Sequence, residues 1–350
     1  MAAALALALG ALLVALGGFL VAALAHRGPE GPRLAVTGRA VAHRGGAGER
    51  IENTMEAFEN AVRQGCDWLE LDVRRTRDGV VVVCHDRELW RQSGRHLDVT
   101  RTDFRDLPPY RSPLEVTFAP GSFSSGRDRR IPRLVEVFQR FPRQPISIEV
   151  KDDDDDLINE VAALVRSFDR APITLWASFR QRILRKCRRA HPAMPFCLSL
   201  ERGLLALLLW YLGLLPRLPL PEAALLFPLP STINRTYFPL PRGPAGHALS
   251  RAAAALVLRP ALLQHLKSRG LQVWLWVVNE ERDFAEAFGL GATGVITDYP
   301  GRLRRFLDGP SPTPGGPSPT PRCPSPSWGG EPLPPPEKGG ETGGKGRKVE

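Results

Sequence analysis

Beyond residue 39 the chain alternates short apolar runs with amphipathic segments. Apolar runs at 40–43, 67–73, 80–84, 146–150, 173–177, 195–200, 272–278 and 294–297 predict strands. Met55, Phe58 and Val62 recur at helical spacing. So do Leu134, Val137, Phe138 and Phe141, and again Leu157, Val161, Leu164 and Val165, which predicts helices between the strands. Asn53, with Glu56 three residues on, has the form of a helix start. Eight strands with intervening helices predict an α/β fold, a TIM (β/α)8 barrel over 38–307. A ninth apolar run, 252–258, is one too many and is expected to be helical or an accessory strand.

Two segments interrupt the pattern. Residues 88–130 are rich in Arg, Ser and Pro, too long for a plain connector, and predict a small insertion. Residues 203–228 are strongly apolar but broken by Pro216, Pro219 and Pro221. A single membrane crossing there would put strands of one barrel on opposite sides of the bilayer. A membrane-associated apolar loop, either a re-entrant hairpin or an interfacial lid, satisfies both constraints. Just upstream, Arg180, Arg182, Arg185, Lys186, Arg188 and Arg189 crowd one helix, as a solvated face or as a contact for lipid headgroups.

The two ends differ from the middle. Residues 3–25 carry no charge and are long enough to span a bilayer, so 1–27 is expected to be a transmembrane anchor. A cleaved signal peptide is the competitor, but the basic start of a signal is missing, and Arg27, Arg33 and Arg39 follow the run. That charge bias places the following residues in the cytoplasm. From 308 to 350 the chain is rich in Pro, Gly, Ser and Thr and is expected to be a disordered tail, unable to bury enough surface to order itself.

Composition narrows the function. With 43% hydrophobic and 24% charged residues, most of the chain can build a core. The formal net charge is +10, and the tail is balanced, so the basic excess belongs to the folded part. That suits phosphates or an anionic membrane face. Without zinc-finger spacing or an RNA-binding aromatic motif, nucleic acid is not an expected partner, and no protein partner can be inferred. The five cysteines are scattered and lack CxxC pairing, which argues against a disulfide framework or a structural zinc site.

The candidate chemistry lies at strand ends, where a parallel barrel builds its active face. His43 ends the first predicted strand, Glu70 and Asp72 the second, His85 the third, and Glu149 and Lys151 the fourth. Glu70 and Asp72 are two apart and point to one side of their strand. Converging like charges are tolerated when a cation lies between them. With Glu149 as a third carboxylate, the set suits Ca²⁺ or Mg²⁺ rather than zinc. His43 and His85 flank the ion as base and acid, and Arg44 and Lys151 hold phosphate oxygens. Together these residues describe divalent-ion-assisted phosphodiester cleavage. Asn53 is either a helix cap or a ligand, Asp78-Gly79 a turn, and the aspartates 152–156 a solvated helix start.

At these residues the sequence resembles the glycerophosphodiester phosphodiesterase family. The matching pieces are HRGGAGERIENTMEAF, GCDWLELDVRRTRDGVVVVCHD, ISIEVK, the WVVN that contains Trp276, and GVITDYP, spread over about 40–300. The resemblance implies a TIM barrel with a divalent ion. It implies that His43 and His85 are catalytic, with His85 also near the metal, and that Arg44 contacts phosphate. Glu70, Asp72 and Glu149 would bind the ion, and Lys151, Trp276 and Asn53 the substrate. The stretch Leu89-Trp90-Arg91-Gln92-Ser93 departs from the family pattern at the pocket rim. The N-terminal apolar run and the 203–228 segment resemble the membrane-bound members described as lysophospholipase D. That implies release of the head group from a lysophospholipid to give lysophosphatidic acid, at the endoplasmic reticulum membrane. A hydrolase of soluble glycerophosphocholine and a silent lipid-binding barrel are the alternatives.

Overall fold

The computed structural model describes residues 33–232 and 255–309. The expected anchor at 1–27 lies outside them, as does the tail beyond Gly309. Among the described residues no helix is long and apolar enough to cross a membrane.

The described residues contain ten strands, in chain order: β1 Ala40–Ala42, β2 Trp68–Arg75, β3 Val81–Val83, β4 Leu114–Glu115, β5 Phe123–Ser124, β6 Ile146–Val150, β7 Thr174–Ala177, β8 Ala224–Pro228, β9 Gln272–Trp276 and β10 Gly294–Thr297. Seven of them run parallel in the order β7-β6-β2-β1-β10-β9-β8. Parallel bridges Trp176–Phe196 and Cys197–Ala224 join the two edges through residues 196–197, so eight staves close into a ring. This is the TIM-barrel arrangement, and its staves read as near-continuous apolar runs because both faces are covered.

The ring corrects two expectations. The run 80–84 is not a stave: β3 returns antiparallel on β2, with Val73 opposite Val83, after the turn at Asp78-Gly79. Its place in the ring is taken by β8, which the sequence places inside the apolar 203–228 segment. That segment is therefore not one membrane loop. It comprises most of a helix, Leu200–Tyr211, a short connector, and a barrel strand. An apolar run has the same composition in a hairpin arm, a stave or a lipid-facing loop, so periodicity does not separate them. The predicted strand 195–200 is reduced to the two bridges. Within the ninth run, residues 255–257 are helical.

The helices form as the pattern predicts. In Asp155–Ser167 the side chains of Leu157, Ile158, Val161, Ala162 and Val165 are buried against the barrel, and Asp154 caps the N-terminus by accepting from the amides of Asp156 and Leu157. The aspartate run is thus a helix start. Helix Met55–Arg63 is capped by Thr54, whose hydroxyl accepts from Ala57 N. Such a cap is worth about 1 kcal/mol. Asn53 is not the cap. It lies one residue earlier, with φ +57°, and is buried.

Residues 88–130, expected as an insertion, contain a short helix Trp90–Ser93 and the β4–β5 hairpin. It has its own core, in which Leu89, Val99, Tyr110 and Leu114 pack with Ile51, Val82 and Cys84. This fixes the insertion to β3 and to the loop after β1, both beside the candidate chemistry. Among the described residues, Cys66, Cys84, Cys187 and Cys197 are buried free thiols.

Candidate active site

The loop after β1 begins the site. Arg44, Gly45 and Gly46 all have positive φ (50°, 80° and 94°), a run that only glycine adopts readily. A Cβ at Gly45 would lie 2.8 Å from Phe58, and one at Gly46 2.7 Å from Pro300. The two glycines let the chain turn sharply, and the turn aims Arg44 N–H at Glu70 Oε2, 2.9 Å away. Arg44 itself pays in backbone strain for this aim.

Glu70 and Asp72 share one face of β2, and Asp72 is directly opposite Glu149 of β6. Oxygens of Glu70, Asp72 and Glu149 lie within 4.8 Å of one another. Lys151 Nζ sits 2.9 Å from both Asp72 Oδ1 and Glu149 Oε1. Arg44 Nε is 3.4 Å from Asp72 Oδ2, and Asn53 Nδ2 donates to the same oxygen at 2.9 Å. Burial alone would raise the Asp72 carboxyl, but Lys151, His85 and Arg44 hold it well below the usual range. Glu70 is different. Burial, with Asp72 and Glu149 beside it, pushes it up to about 7.

Glu70 is buried with a single backbone N–H on its carboxylate, and Lys151 neutralises the other two acids instead. The buried Asn53 Oδ1 also lacks a hydrogen-bond partner. A divalent ion would supply the positive charge that Glu70 lacks, and the three carboxylates would offer it oxygen donors. His85, also expected near the metal, is not in the carboxylate group, and its Nδ1 is 2.6 Å from Asp86 Oδ1.

Each histidine is held through Nδ1 by a carboxylate. His43 Nδ1 lies 2.7 Å from Asp298 Oδ1, and Asn279 fixes Asp298 by donating to Oδ2 at 2.8 Å. Burial lowers the affinity of His43 for a proton, but the carboxylates of Asp298 and Glu70 raise it and the net shift is upward. His85 is lowered, first by burial and then by Arg44. The two imidazoles are thus pushed apart, one toward acid and one toward base.

Several participants have no counterpart in the sequence reading. Asp298 follows β10 within GVITDYP, a piece that matched the family without suggesting a role. Glu52 is buried and accepts from Arg44 Nη1 at 3.2 Å, from Arg91 Nη2 at 2.6 Å and from Gln92 Nε2 at 2.6 Å. Arg91 also binds Asp86 at 2.7 Å. The unusual stretch 89–93 therefore braces Arg44 and His85 from below. From the insertion, Thr117 Oγ1 accepts from Arg44 Nη1 at 3.3 Å, and the Phe118 ring stands edge-on to His43, centroids 5.5 Å apart.

These residues open into one cavity of about 530 Å³. Its polar part is His43, Arg44, Glu70, His85, Glu149 and Lys151. Its apolar part is Phe118, Phe179, Leu198, Leu200, Leu225, Leu226, Phe227 and Trp276. Trp276, expected at the site, is there. Asn53 does not line it; its side chain donates to Asp72 and its backbone N–H to the Arg44 carbonyl, 2.8 Å away.

The comparisons agree with this geometry. The model of the glycerophosphoryl diester phosphodiesterase family matches residues 43–302. Human lysophospholipase D GDPD3 is 51% identical over 262 residues, covering 75% of this chain and 82% of the relative. Human lysophospholipase D GDPD1 is 41% identical over 289 residues, covering 83% and 87%. An Agrobacterium tumefaciens glycerophosphodiester phosphodiesterase shares the fold at TM-score 0.54 and 20% identity, over 77% of this chain and 99% of that one. An Oleispira antarctica phosphodiesterase, solved with the product sn-glycerol-3-phosphate, does so at 0.55 and 19%, over 78% and 98%. The chain belongs to the glycerophosphoryl diester phosphodiesterase family and is a phosphodiester hydrolase.

Proposed function

We propose that the protein is a lysophospholipase D, removing the head-group alcohol of a lysophospholipid and leaving lysophosphatidic acid. The cavity carries this reading: a phosphate-binding, acid–base end is continuous with a wall of leucines and phenylalanines. A phosphodiester bearing one acyl chain presents the same two chemistries. The names of the relatives at 51% and 41% identity point the same way.

Glu70, Asp72 and Glu149 would hold the divalent ion, Ca²⁺ or Mg²⁺, which when bound polarises a phosphoryl oxygen. Arg44, fixed by Glu52 and Asp72, receives a non-bridging oxygen. Neutral His85, aligned by Asp86, takes the proton of the attacking hydroxyl. That hydroxyl is water's or the free glycerol hydroxyl of the substrate; in the second case water then opens a cyclic phosphate. Protonated His43, aligned by Asp298, gives its proton to the head-group oxygen as the P–O bond breaks.

In this proposal the enzyme works at a membrane, the endoplasmic reticulum, with the barrel in the cytoplasm. The apolar run 3–25 with the arginines after it supports an anchor. The helix Leu200–Tyr211 supports a second contact, because Leu204 and Leu208 on it are 55% and 56% exposed while Leu200 lines the cavity.

The test is to give the purified full chain lysophosphatidylcholine and glycerophosphocholine separately, with and without chelator, and to identify products by mass. Chelator-sensitive release of lysophosphatidic acid, faster than turnover of the soluble diester, is expected. Turnover of glycerophosphocholine alone would overturn the substrate assignment, and no turnover of either would leave a binding barrel.

A further inference from the structure

Helix Leu200–Tyr211 is one half of a ridge on the outside of the barrel, and helix Gln181–Ala190 is the other. The two are stitched together at their starts. Leu200 N–H donates to Phe179 O at 2.9 Å, Ser199 Oγ to Gln181 Oε1 at 2.7 Å, and Gln181 N–H to Glu201 Oε2 at 3.1 Å. Phe179 and Leu200 are half exposed and also line the cavity, so the ridge begins at the cavity mouth.

Spacing sorts the side chains of helix Gln181–Ala190. Ile183, Leu184 and Cys187 are buried in the core. Arg182 and Lys186, on the edge toward helix Asp155–Ser167, are neutralised. Arg182 Nε is 2.8 Å from Asp153 Oδ2, and Lys186 Nζ is 2.8 Å from Asp153 Oδ1 and 2.7 Å from Asp155 Oδ1. Arg185 and Arg188 follow Gln181 at helical spacing, on the edge toward the leucine helix, and Arg189 stands between the two edges. All three are exposed. Arg188 lies over the Phe196 ring, 4.4 Å from its centroid. Among the described residues, none of the three has a carboxylate at ion-pair distance. Residues 180–212 hold seven arginines and lysines against one acid, Glu201, which already accepts from Gln181 N–H.

A solvated face intersperses its bases with acids and keeps leucines off the surface. This ridge does the reverse. Leu200, Leu204, Leu208 and Leu212 form an exposed stripe, four residues apart, bordered by the unpaired arginines. An apolar stripe edged by free guanidiniums complements an acyl layer under acidic phosphates. A protein or a second copy seated on the stripe would also cover Phe179 and Leu200 at the cavity mouth. A bilayer there delivers an acylated substrate to it.

We propose that the ridge binds an anionic bilayer, with the leucines in the acyl layer and Arg185, Arg188 and Arg189 on the phosphates of acidic lipids, so that membrane charge sets the rate on a lysolipid. This rests on the lysophospholipase D reading for its substrate and adds a regulating lipid to it.

The test reconstitutes the full-length protein in vesicles of phosphatidylcholine alone and of phosphatidylcholine with phosphatidylserine. Turnover of one lysophosphatidylcholine is measured in each, and hydrogen exchange of residues 180–212 is followed in the same vesicles. An arginine at an acidic surface contributes about fivefold to attachment. The acidic vesicles are therefore expected to raise turnover severalfold and to slow exchange in both helices, and salt at about 1 M to cancel both effects. The triple variant Arg185→Gln, Arg188→Gln, Arg189→Gln is expected to lose the acidic-to-neutral ratio, and Arg185→Lys, Arg188→Lys, Arg189→Lys to keep it. Equal turnover and equal exchange in the two kinds of vesicle would overturn the proposal, as would an acidic gain that survives the glutamine substitutions. A chain that sediments as a dimer in detergent, and dissociates on Leu208→Glu, would give the stripe to a second copy and overturn it too. A protein inert on the lysolipid in both vesicles would strike the proposed function, while the difference in exchange would still decide the ridge.

Discussion

His43 Nδ1 and Asp298 Oδ1 meet at 2.7 Å although the residues are 255 positions apart. The parallel pairing of β1 with β10 brings them together: Ala42 is opposite Thr297, and the residue after each is His43 and Asp298. The closure of the barrel is therefore also what assembles the proposed acid.

Asp298→Asn should cut kcat about a hundredfold, within the range ordinarily contributed by one positioned acid. The pH profile checks the cause. In the proposed mechanism His43 acts protonated, and its pKa is raised, so activity should be lost as pH rises through that value. Without the Asp298 charge the His43 pKa falls, and the alkaline limb of kcat/KM moves to lower pH. An unmoved limb would separate Asp298 from the proton donor.

Glu52 sits between Arg44 and Arg91 and is buried. Burial would raise its carboxyl, but the two guanidiniums hold it far below the usual range, so its contribution to stability is complete above the ordinary carboxylate range and is lost progressively as pH falls through and below that range. Glu52→Gln leaves two arginines undercompensated and should cost about 3–5 kcal/mol in denaturant unfolding. A change under 1 kcal/mol would show that solvent already compensates them.

Glu70 titrates at about 7 when no cation is bound. At pH 6 it is mostly protonated and must release a proton for the ion to bind, so cation affinity should fall as pH drops from 8 to 6. Calorimetry in buffers of different ionisation enthalpy would report that proton release. Binding that is independent of pH would exclude Glu70 from the ion.

Leu208→Glu places a charge on the exposed face of helix Leu200–Tyr211 without touching the cavity lining. Turnover of lysophosphatidylcholine in vesicles should fall severalfold, with glycerophosphocholine turnover unchanged. Equal rates on both substrates would remove this helix from the membrane contact.

Much of the site is legible because chemistry in a parallel barrel is local to stave ends. His43, Glu70, Asp72, Glu149 and Lys151 each follow from an apolar run that stops at a polar residue. What stays hidden depends on partners distant in sequence. His85 reads as a stave end, yet it arrives on an antiparallel return strand, because β3 pairs with β2 instead of entering the ring. The stave at 196–197 has only two bridges to mark it, and β8 is disguised among membrane-like leucines. Asp298 and Glu52 carry no local pattern, and Thr117 and Phe118 come from an insertion whose polar composition gives no hint that it covers the site.

The proposed cation site is tested most directly by anomalous diffraction from crystals of the protein soaked in Mn²⁺, a stand-in for the harder divalent ions. One strong peak is expected, bounded by Glu70, Asp72 and Glu149, with Lys151 displaced from at least one carboxylate. Crystals that show no peak there, with the ammonium still bridging Asp72 and Glu149 at saturating Mn²⁺, would contradict it.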